Sequence, residues 1–187
     1  MRVLDIGSGD GHRGRAEFPN AEVVGLDRRD GYDVTMRGLP EGPWDVLFAH
    51  HLVEHLADVD AFLDACHRVM TPGHTRLIVG MPNLAAWFNR LTFLFGYVPH
   101  SMELSTRYNL GKPFGWDAEE LGGHIRVFTV PAFCQLLRYH GFRVDSVVGE
   151  RSTYPCPWPV RWVDALCTWV SPSLASAFRV EAIDAKL

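Results

Sequence analysis

The chain lacks most of the features that mark secreted or nucleic-acid-binding proteins. Its 187 residues include four cysteines, scattered along the sequence without a C-x-x-C pair. This pattern disfavours a disulfide framework or a metal module and predicts reduced, mostly buried thiols. Positive charge is not in excess, because 18 Lys and Arg residues stand against 22 acidic ones, for a formal net charge of −4. We therefore expect no nucleic acid as a partner, and a small molecule or a protein instead.

Long hydrophobic runs are also missing. The most apolar stretch, LAAWFNRLTFLFGYV, carries Asn89 and Arg90 and is too short to cross a bilayer. The first residues, MRVLDIGSG, contain no hydrophobic region of a signal peptide and lead directly into a strand pattern. We therefore expect no membrane partner and a cytoplasmic location.

The chain does contain an alternation of strand and helix patterns. Apolar residues at three- and four-residue steps predict an amphipathic helix over residues 52–70, and Thr129 and Gly141 bracket a second helix. The runs that predict strands are RVLDIG, AEVVGLD, WDVLFAH, TRLIVGMPN, FRVDSVVGE and FRVEAIDAK. This alternation is typical of an α/β protein with a parallel sheet flanked by helices.

Two segments interrupt the alternation. Residues 84–125 are rich in aromatic residues, glycine and proline, and are predicted to form an insertion that covers the site as a lid. Residues 151–173 combine a proline-punctuated connection with a predicted helix and form a second insertion before the last strand. The length is that of one domain, so residues 1–187 are predicted to fold as a single unit.

A glycine-rich turn, Gly7-Ser8-Gly9-Asp10-Gly11, follows the first predicted strand. Glycines at such a point let the chain turn tightly and let a ligand approach the backbone. Counted from Gly7, a dinucleotide fingerprint fails because His12 stands at its third glycine position, and no G-K-[ST] follows as in a phosphate loop. A hydrolase nucleophile elbow around Ser8 fails because Ile6 and Asp10 occupy the positions of its glycines.

The remaining pattern is D-x-G-x-G-x-G, with Asp5 two residues before the first glycine. A carboxylate there repels a pyrophosphate but suits a ligand with positive charge, such as the sulfonium and ammonium groups of S-adenosylmethionine (SAM). Asp27 ends the second predicted strand, where a carboxylate can accept hydrogen bonds from a ribose diol. A surface acid in a turn is the alternative interpretation of Asp27.

Taken together, these stretches resemble class I SAM-dependent methyltransferases, specifically the type 11 group with features of its MetW-like branch. The segments that carry the resemblance are VLDIGSGDG, VVGLD, WDVLFAHHLVEHLAD, HRVMTPGHTRLIVGMPN and HIRVFTVPAFCQLLRYHGFRV. The resemblance implies a Rossmann-like, doubly wound, mostly parallel sheet with an antiparallel C-terminal strand. It also implies SAM as the cofactor.

The resemblance further implies roles for individual residues. Those matching the methionine-binding positions follow the first strand, Asp27 matches the ribose-binding acid, and Asp33 with Val34 matches the adenine-flanking pair. His50 and His51 match positions beside the sulfonium. The predicted cofactor-binding residues are therefore Asp5, Gly7, Ser8, Gly9, Gly11, Asp27, Arg28, Asp33, Val34 and His50.

The segment HLVEH, residues 51–55, also matches the H-x-x-E-H pattern of inverted zinc peptidases. Zinc binding requires His51 and His55 on one helix face, with Glu54 as the base. His51 lies where the third strand ends, and no third ligand is evident from spacing. The methyltransferase resemblance accounts for Glu54 and His55 without a metal, so no metal is predicted.

For the chemistry, His50 and His51 are candidate catalytic bases, since histidine titrates near neutral pH and a hydroxyl or amine acceptor must lose a proton. Pocket lining or packing is the alternative for each. The predicted substrate-binding residues lie in or beside the lid and are His100, Tyr108, His124 and Arg126. A small aromatic satellite core with solvated charges is the alternative for that segment.

The predicted function is a SAM-dependent methyltransferase acting on a small-molecule or glycan-type acceptor. The alternative is an accessory or regulatory protein of the same fold, MetW-like, that binds a partner with little or no catalysis. Trp162 and Trp169 lie seven residues apart on one helix face, which indicates packing or the interface of a homodimer or other protein partner.

Overall fold

A twisted β-sheet forms the centre of the computed structural model, which describes residues 1–113, 121–151 and 158–185. Within these residues the sheet has six strands in the order β2-β1-β3-β4-β6-β5. The first four pair in parallel, whereas β6 runs antiparallel to both of its neighbours. The mostly parallel sheet with an antiparallel C-terminal strand is therefore confirmed.

The bounds of the elements follow the apolar patterns of the sequence closely. The strands are β1 Arg2–Ile6, β2 Glu22–Leu26, β3 Val46–His50, β4 Arg76–Pro82, β5 Phe142–Glu150 and β6 Ala177–Asp184. The α-helices are α1 His12–Glu17, α2 Val34–Arg37, α3 Val59–Val69, α4 Trp87–Leu94, α5 Val130–Tyr139 and α6 Trp158–Val170. Two 3₁₀ turns span Arg28–Asp30 and Val53–His55.

The two faces of the sheet are covered unequally. Alternate residues of a strand point to opposite faces, so Leu47 and Ala49 enter the large core with α3 and α5, while Val46 and Phe48 lie on the other face. The large core includes Phe62 and Phe133 from those helices. The opposite face has a small cluster, in which Phe18, just after α1, packs edge-on against Phe48.

The predicted helix over residues 52–70 is wrong at its N-terminal end. A 3₁₀ turn at Val53–His55 is followed by extended backbone at Leu56, and the α-helix begins only at Val59. The Asp58 carboxylate accepts a hydrogen bond from the Ala61 backbone N–H and thereby fixes this start. The helix between Thr129 and Gly141 is confirmed as α5, with the Thr129 hydroxyl as its N-cap.

The two ends of the predicted insertion at residues 84–125 lie close together beside the end of β4. Asn83, fully buried after β4, forms a bridge with Phe128 and donates its side-chain amide to the Ala175 carbonyl at 2.9 Å. Lys112 binds the backbone carbonyls of Pro99, His100 and Met102 through its ammonium group, at 2.5, 2.8 and 2.6 Å. Residues 114–120 of this insertion and 152–157 of the second lie outside the described residues.

Two further sequence expectations concern the cysteines and the membrane. Cys66 and Cys134 are buried thiols, Cys167 is half-buried, and Cys156 lies outside the described residues. Burial raises the pKa of the Cys66 and Cys134 thiols, so both are poor nucleophiles. Among the described helices, none combines the length and the apolar character needed to span a membrane.

Candidate cofactor and acceptor site

The glycine-rich turn at the carboxyl end of β1 is fastened to the end of β2. The backbone N–H groups of Gly7 and Ser8 both donate to the Leu26 carbonyl, at 2.8 and 3.1 Å. Gly7 has a φ of 74°, and a Cβ there would lie 2.8 Å from the Leu52 side chain. Glycine is therefore required at this position both by the backbone conformation and by the close approach of the segment after β3.

Asp5 places a buried carboxylate directly beneath this turn. The residue is 2% exposed, and its Oδ2 has no hydrogen-bond partner among the described residues. A Cβ on Gly14 would lie 2.2 Å from Oδ2, so only glycine lets α1 pack this closely on β1. Gly9, Gly11 and Gly14 thus have the G-x-G-x-x-G spacing, a signal that counting from Gly7 misses.

Ionisation of the Asp5 carboxyl group is unfavourable in its buried environment. Burial raises the pKa of Asp5, and the negative charge of Asp27 raises it further. A hydrogen bond from the Gly14 backbone and the nearby His50 oppose this shift without cancelling it. A positively charged group bound beside Asp5 would stabilise the ionised form.

Asp27, at the end of β2, is held in place by two backbone donors. Its Oδ2 accepts a hydrogen bond from the Gly9 N–H at 2.8 Å, and its Oδ1 accepts one from the Arg29 N–H at 2.9 Å. Each carboxylate oxygen has a second lone pair, so the group remains able to accept from a diol. The bond from Gly9 joins Asp27 to the glycine turn, and the contact of Asp27 with a ribose diol stays a prediction.

A cleft of about 230 Å³ opens between the ends of β1 and β2. Gly25 forms part of its wall, and a Cβ there would lie 2.7 Å from the Ser8 hydroxyl. The residues that line the cleft are Asp5, Ser8, Gly9, Asp10, Gly11, Arg15, Val23, Gly25 and Asp30. The structure thus brings together the predicted residues of the glycine turn, with Asp27 hydrogen-bonded to one of them.

The predicted adenine-side residues have structural tasks in the fold. Asp33 is the N-cap of α2, accepting hydrogen bonds from the Thr35 hydroxyl and backbone N–H, and these bonds lower the pKa of Asp33. Val34 is buried in the large core. Arg28 is exposed, with its guanidinium 4.0 Å from the Asp33 carboxylate. Their contacts with adenine stay predictions.

His50 and His51 leave the end of β3 in different environments. The side chain of His50 is nearly buried, and its Nε2 lies 3.0 Å from Arg13 Nη2 and 3.1 Å from Glu150 Oε2. The hydrogen bond from His50 is the main reason that the pKa of Glu150 is lowered, with attraction from Arg13 and Arg179 adding to it. Sequence reasoning misses Glu150, because it lies far along the chain at the end of β5.

His51 has an unusual backbone and an oriented side chain. Its φ of 55° is in the left-handed region, which non-glycine residues rarely adopt, and its backbone N–H donates to the Gly80 carbonyl at 2.9 Å. The side chain is 44% exposed, and its Nδ1 lies 2.9 Å from Oε1 of Glu54, which is 1% exposed. The segment 51–55 is thus not a helix face that presents His51 and His55 together.

The predicted substrate residues are dispersed. His100 packs edge-on against Phe88, while Tyr108 is largely exposed. Arg126 donates its guanidinium to the Ala57 carbonyl, and His124 lies beside His55 with ring centroids 5.1 Å apart. Burial lowers the pKa of His124. Only His124 and Arg126 come against the segment that follows β3.

Comparison with known proteins agrees with this arrangement. A family model described as a methyltransferase domain matches residues 1–147, so the chain belongs to the methyltransferase domain family. Among curated proteins, none matches the chain. The MetW-like and type 11 features of the sequence stay predictions, because the matching family model is described only as a methyltransferase domain.

Solved structures show the same fold. A SAM-dependent methyltransferase from Mesorhizobium loti is 17% identical, with a TM-score of 0.57 and coverage of 97% of this chain and 90% of that one. The DhpI–SAM–HEP complex is 16% identical, with a TM-score of 0.57 and coverage of 97% and 77%. The Haloferax volcanii complex of a methyltransferase with the Trm112 methyltransferase activator is 14% identical, with a TM-score of 0.58 and coverage of 99% and 83%.

The chain is a member of the methyltransferase domain family, and the residues of the cleft fit SAM as the methyl donor. Asp5 is one of the residues that line the cleft, and its buried Oδ2 lacks a hydrogen-bond partner among the described residues. The ammonium of a methionine moiety matches this carboxylate in charge. The Asp27 carboxylate beside Gly9 matches a ribose diol.

We predict that Asp5→Asn stabilises the protein without cofactor and weakens SAM binding. Because the folded pKa of Asp5 is raised, the buried charge opposes folding at neutral pH, and this penalty disappears as pH falls below the unfolded pKa. The variant should therefore gain on the order of 1 kcal/mol in free energy of unfolding at pH 7 and nothing at pH 3. Urea titrations at both pH values measure this, with the exposed Asp145→Asn as control. An equal change at both pH values would contradict the account.

Proposed function

We propose that this methyltransferase acts on a hydroxyl group of a small-molecule or glycan-type acceptor, with His51 as the proton acceptor. The pairing of His51 Nδ1 with the buried Glu54 carboxylate, at 2.9 Å, carries this proposal. A carboxylate accepts hydrogen bonds, so Nδ1 holds the proton and Nε2 of the neutral ring holds the lone pair. Nε2 is the atom that takes the acceptor's proton.

His50 is less suited to that role. Its Nε2 already lies at hydrogen-bonding distance from Glu150 and Arg13, and its side chain is nearly buried. We propose that His50 instead shapes the floor of the cofactor site, where it also favours the ionised form of Asp5. The electrostatic attraction between Arg13, in the short helix α1, and Glu150, at the end of β5, would hold α1 against the sheet.

The cofactor site would be held by the residues of the first two strand ends. Asp5 would bind the ammonium of the methionine moiety, Gly7, Ser8, Gly9 and Gly11 would offer their backbone, and Asp27 would accept from the ribose diol. When bound, SAM supplies a methyl group on a positively charged sulfur. The chain contributes alignment and the exclusion of water, which are the main requirements of such a displacement.

The insertion at residues 84–125 would cover the acceptor. Its end is bound to the segment after β3, since Ile125 and the next residue, Arg126, both donate their backbone N–H groups to the Glu54 carbonyl, at 2.7 and 3.1 Å. His124 and Arg126 would therefore reach the acceptor beside His51, with His100 and Tyr108 further out on the same lid.

A non-catalytic, MetW-like accessory role is the weaker proposal. Asp5, the glycine turn and Asp27 are all present, and the buried Oδ2 of Asp5 has no hydrogen-bond partner among the described residues. A buried carboxylate oxygen of this kind costs stability, which favours a role for Asp5 in binding a cationic ligand. The oriented His51 with its left-handed backbone points the same way.

We predict that His51→Asn lowers the rate of methyl transfer by about 100-fold or more, because loss of a general base removes 10²–10⁴-fold. Asparagine tolerates the left-handed backbone, so the turn should keep its shape. The measurement is formation of S-adenosylhomocysteine in a screen of hydroxyl-bearing small molecules and sugars, together with SAM affinity. Affinity should stay within about twofold, and the exposed His74→Asn should match the wild type. Unchanged turnover in His51→Asn would remove His51 from the mechanism.

We also propose that α6 packs against a second copy of the chain. Its exposed residues Trp158, Trp162, Leu166 and Trp169 recur at three- and four-residue steps and form one stripe, with Trp169 84% exposed. Stripes of this kind mark interaction surfaces, and most soluble oligomers are symmetric homodimers. The Haloferax methyltransferase in complex with its activator shows that relatives of this fold also associate with other proteins.

Analytical ultracentrifugation tests this interface. We predict a dimer of the 21.1-kDa chain and a monomer for the double variant Trp162→Gln, Trp169→Gln. Met36→Gln, an isolated exposed apolar residue, is the matched control and should stay dimeric. A wild-type chain that remains monomeric at about 100 µM would contradict the proposal, since that concentration exceeds the Kd of ordinary stable dimers.

A further inference from the structure

Three potential metal ligands meet beside the proposed acceptor site. Glu54 and His55 belong to the 3₁₀ turn after β3, and His124 belongs to the end of the lid. Each offers one ligand atom, and these atoms all lie within 4.8 Å of one another. Among the residues that the structure describes, these three are the His, Cys, Asp or Glu side chains that lie close enough together to share a metal ion.

Glu54 brings a carboxylate with one unused oxygen. The residue is 1% exposed, and its Oε1 is engaged by His51 at 2.9 Å. Its Oε2 is buried and has no hydrogen-bond partner among the described residues. A buried charged oxygen without a partner is strongly unfavourable, and a cation is the group that would satisfy it.

The two imidazoles have their tautomers fixed by backbone carbonyls. His55 Nδ1 donates to the Gly123 carbonyl at 3.1 Å, and His124 Nδ1 donates to the Ser101 carbonyl at 3.0 Å. A carbonyl oxygen only accepts, so in each neutral ring the lone pair is on Nε2. Metal-ligating histidines typically donate their other ring N–H in this way.

The loop that carries His124 is itself fixed. The Glu103 carboxylate accepts hydrogen bonds from three successive backbone N–H groups, those of Gly122, Gly123 and His124, at 2.7, 3.0 and 3.2 Å. The lid and the turn after β3 are thus joined by several bonds around the three ligand residues. Such support is what a metal site requires in order to hold its ligands in position.

We propose that Glu54, His55 and His124 bind a divalent first-row transition metal of the zinc type. Two imidazoles and one carboxylate are a donor set that zinc accepts, and three protein ligands leave a coordination position open. His51 is not a ligand, because its Nδ1 pairs with Oε1 of Glu54, whereas Oε2 is the oxygen proposed to bind the metal. The site therefore differs from the H-x-x-E-H pattern, because only Glu54 and His55 of that pattern are ligands. The third ligand, His124, lies in a loop far along the chain.

Calorimetric titration of Zn²⁺ alone into tag-free, EDTA-treated protein tests the site. The titration omits SAM, so its outcome is independent of the proposed methyl transfer. We expect one zinc ion per chain. His55→Ala or His124→Ala should each weaken binding by at least about 100-fold, more than the loss of a residue that only hydrogen-bonds to a ligand. His74→Ala and His140→Ala are the controls, because both histidines have carboxylate partners elsewhere in the fold.

Two results would overturn the assignment. One is the absence of zinc binding by the wild type at about 100 µM, in the micromolar-to-millimolar range of weak association. The other is zinc binding that His55→Ala and His124→Ala leave unchanged while circular dichroism shows both variants to be folded. Zinc-dependent elevation of Tm in the wild type and in both controls, but in neither ligand variant, would support the site independently.

Discussion

The structure depends on keeping the Asp5 carboxylate buried at the carboxyl end of β1. Its position dictates glycine at residue 14, where a Cβ would lie 2.2 Å from the carboxylate oxygen, and so it dictates how closely α1 approaches the sheet. The turn that follows Asp5 is rich in glycine, so few side chains block access to the backbone. The Gly7 and Ser8 N–H groups of this turn donate to the Leu26 carbonyl at the end of β2. A buried acid, a turn of glycines and a closely packed helix together allow a cofactor to be bound through its positive charge and through contacts with the backbone.

The end of β3 divides two tasks between neighbouring histidines. His50 points to the face of α1, where Arg13 and Glu150 engage it, and His51 turns away through a left-handed backbone to meet Glu54. The segment that follows also receives the last part of the lid at the Glu54 carbonyl. Cofactor, acceptor and metal are thus proposed to meet around one short stretch, residues 50–55, supported by parallel strands on both sides.

Much of the fold could be predicted from the sequence, because β1, β3 and β4 are buried and nearly continuously apolar, while β6 alternates between buried and half-buried residues. The helix over residues 52–70 failed at its start, since Leu52 and Leu56 reach the core from a 3₁₀ turn and extended backbone with the same spacing that a helix would give. The glycine turn and Asp27 were recognisable from local spacing. Partnerships such as His50 with Glu150, or His124 with Glu54, join segments far apart in the chain and have no local signal.

The most direct test of the account is a calorimetric titration of SAM into the wild type, Asp27→Asn and the exposed control Asp145→Asn. We expect saturable binding at one site in the wild type and in the control. Asp27→Asn should bind at least about tenfold more weakly, because hydrogen bonds to a charged group contribute about 1.5–3 kcal/mol. Absence of binding at millimolar SAM, or equal affinity in Asp27→Asn, would contradict the proposed cofactor site.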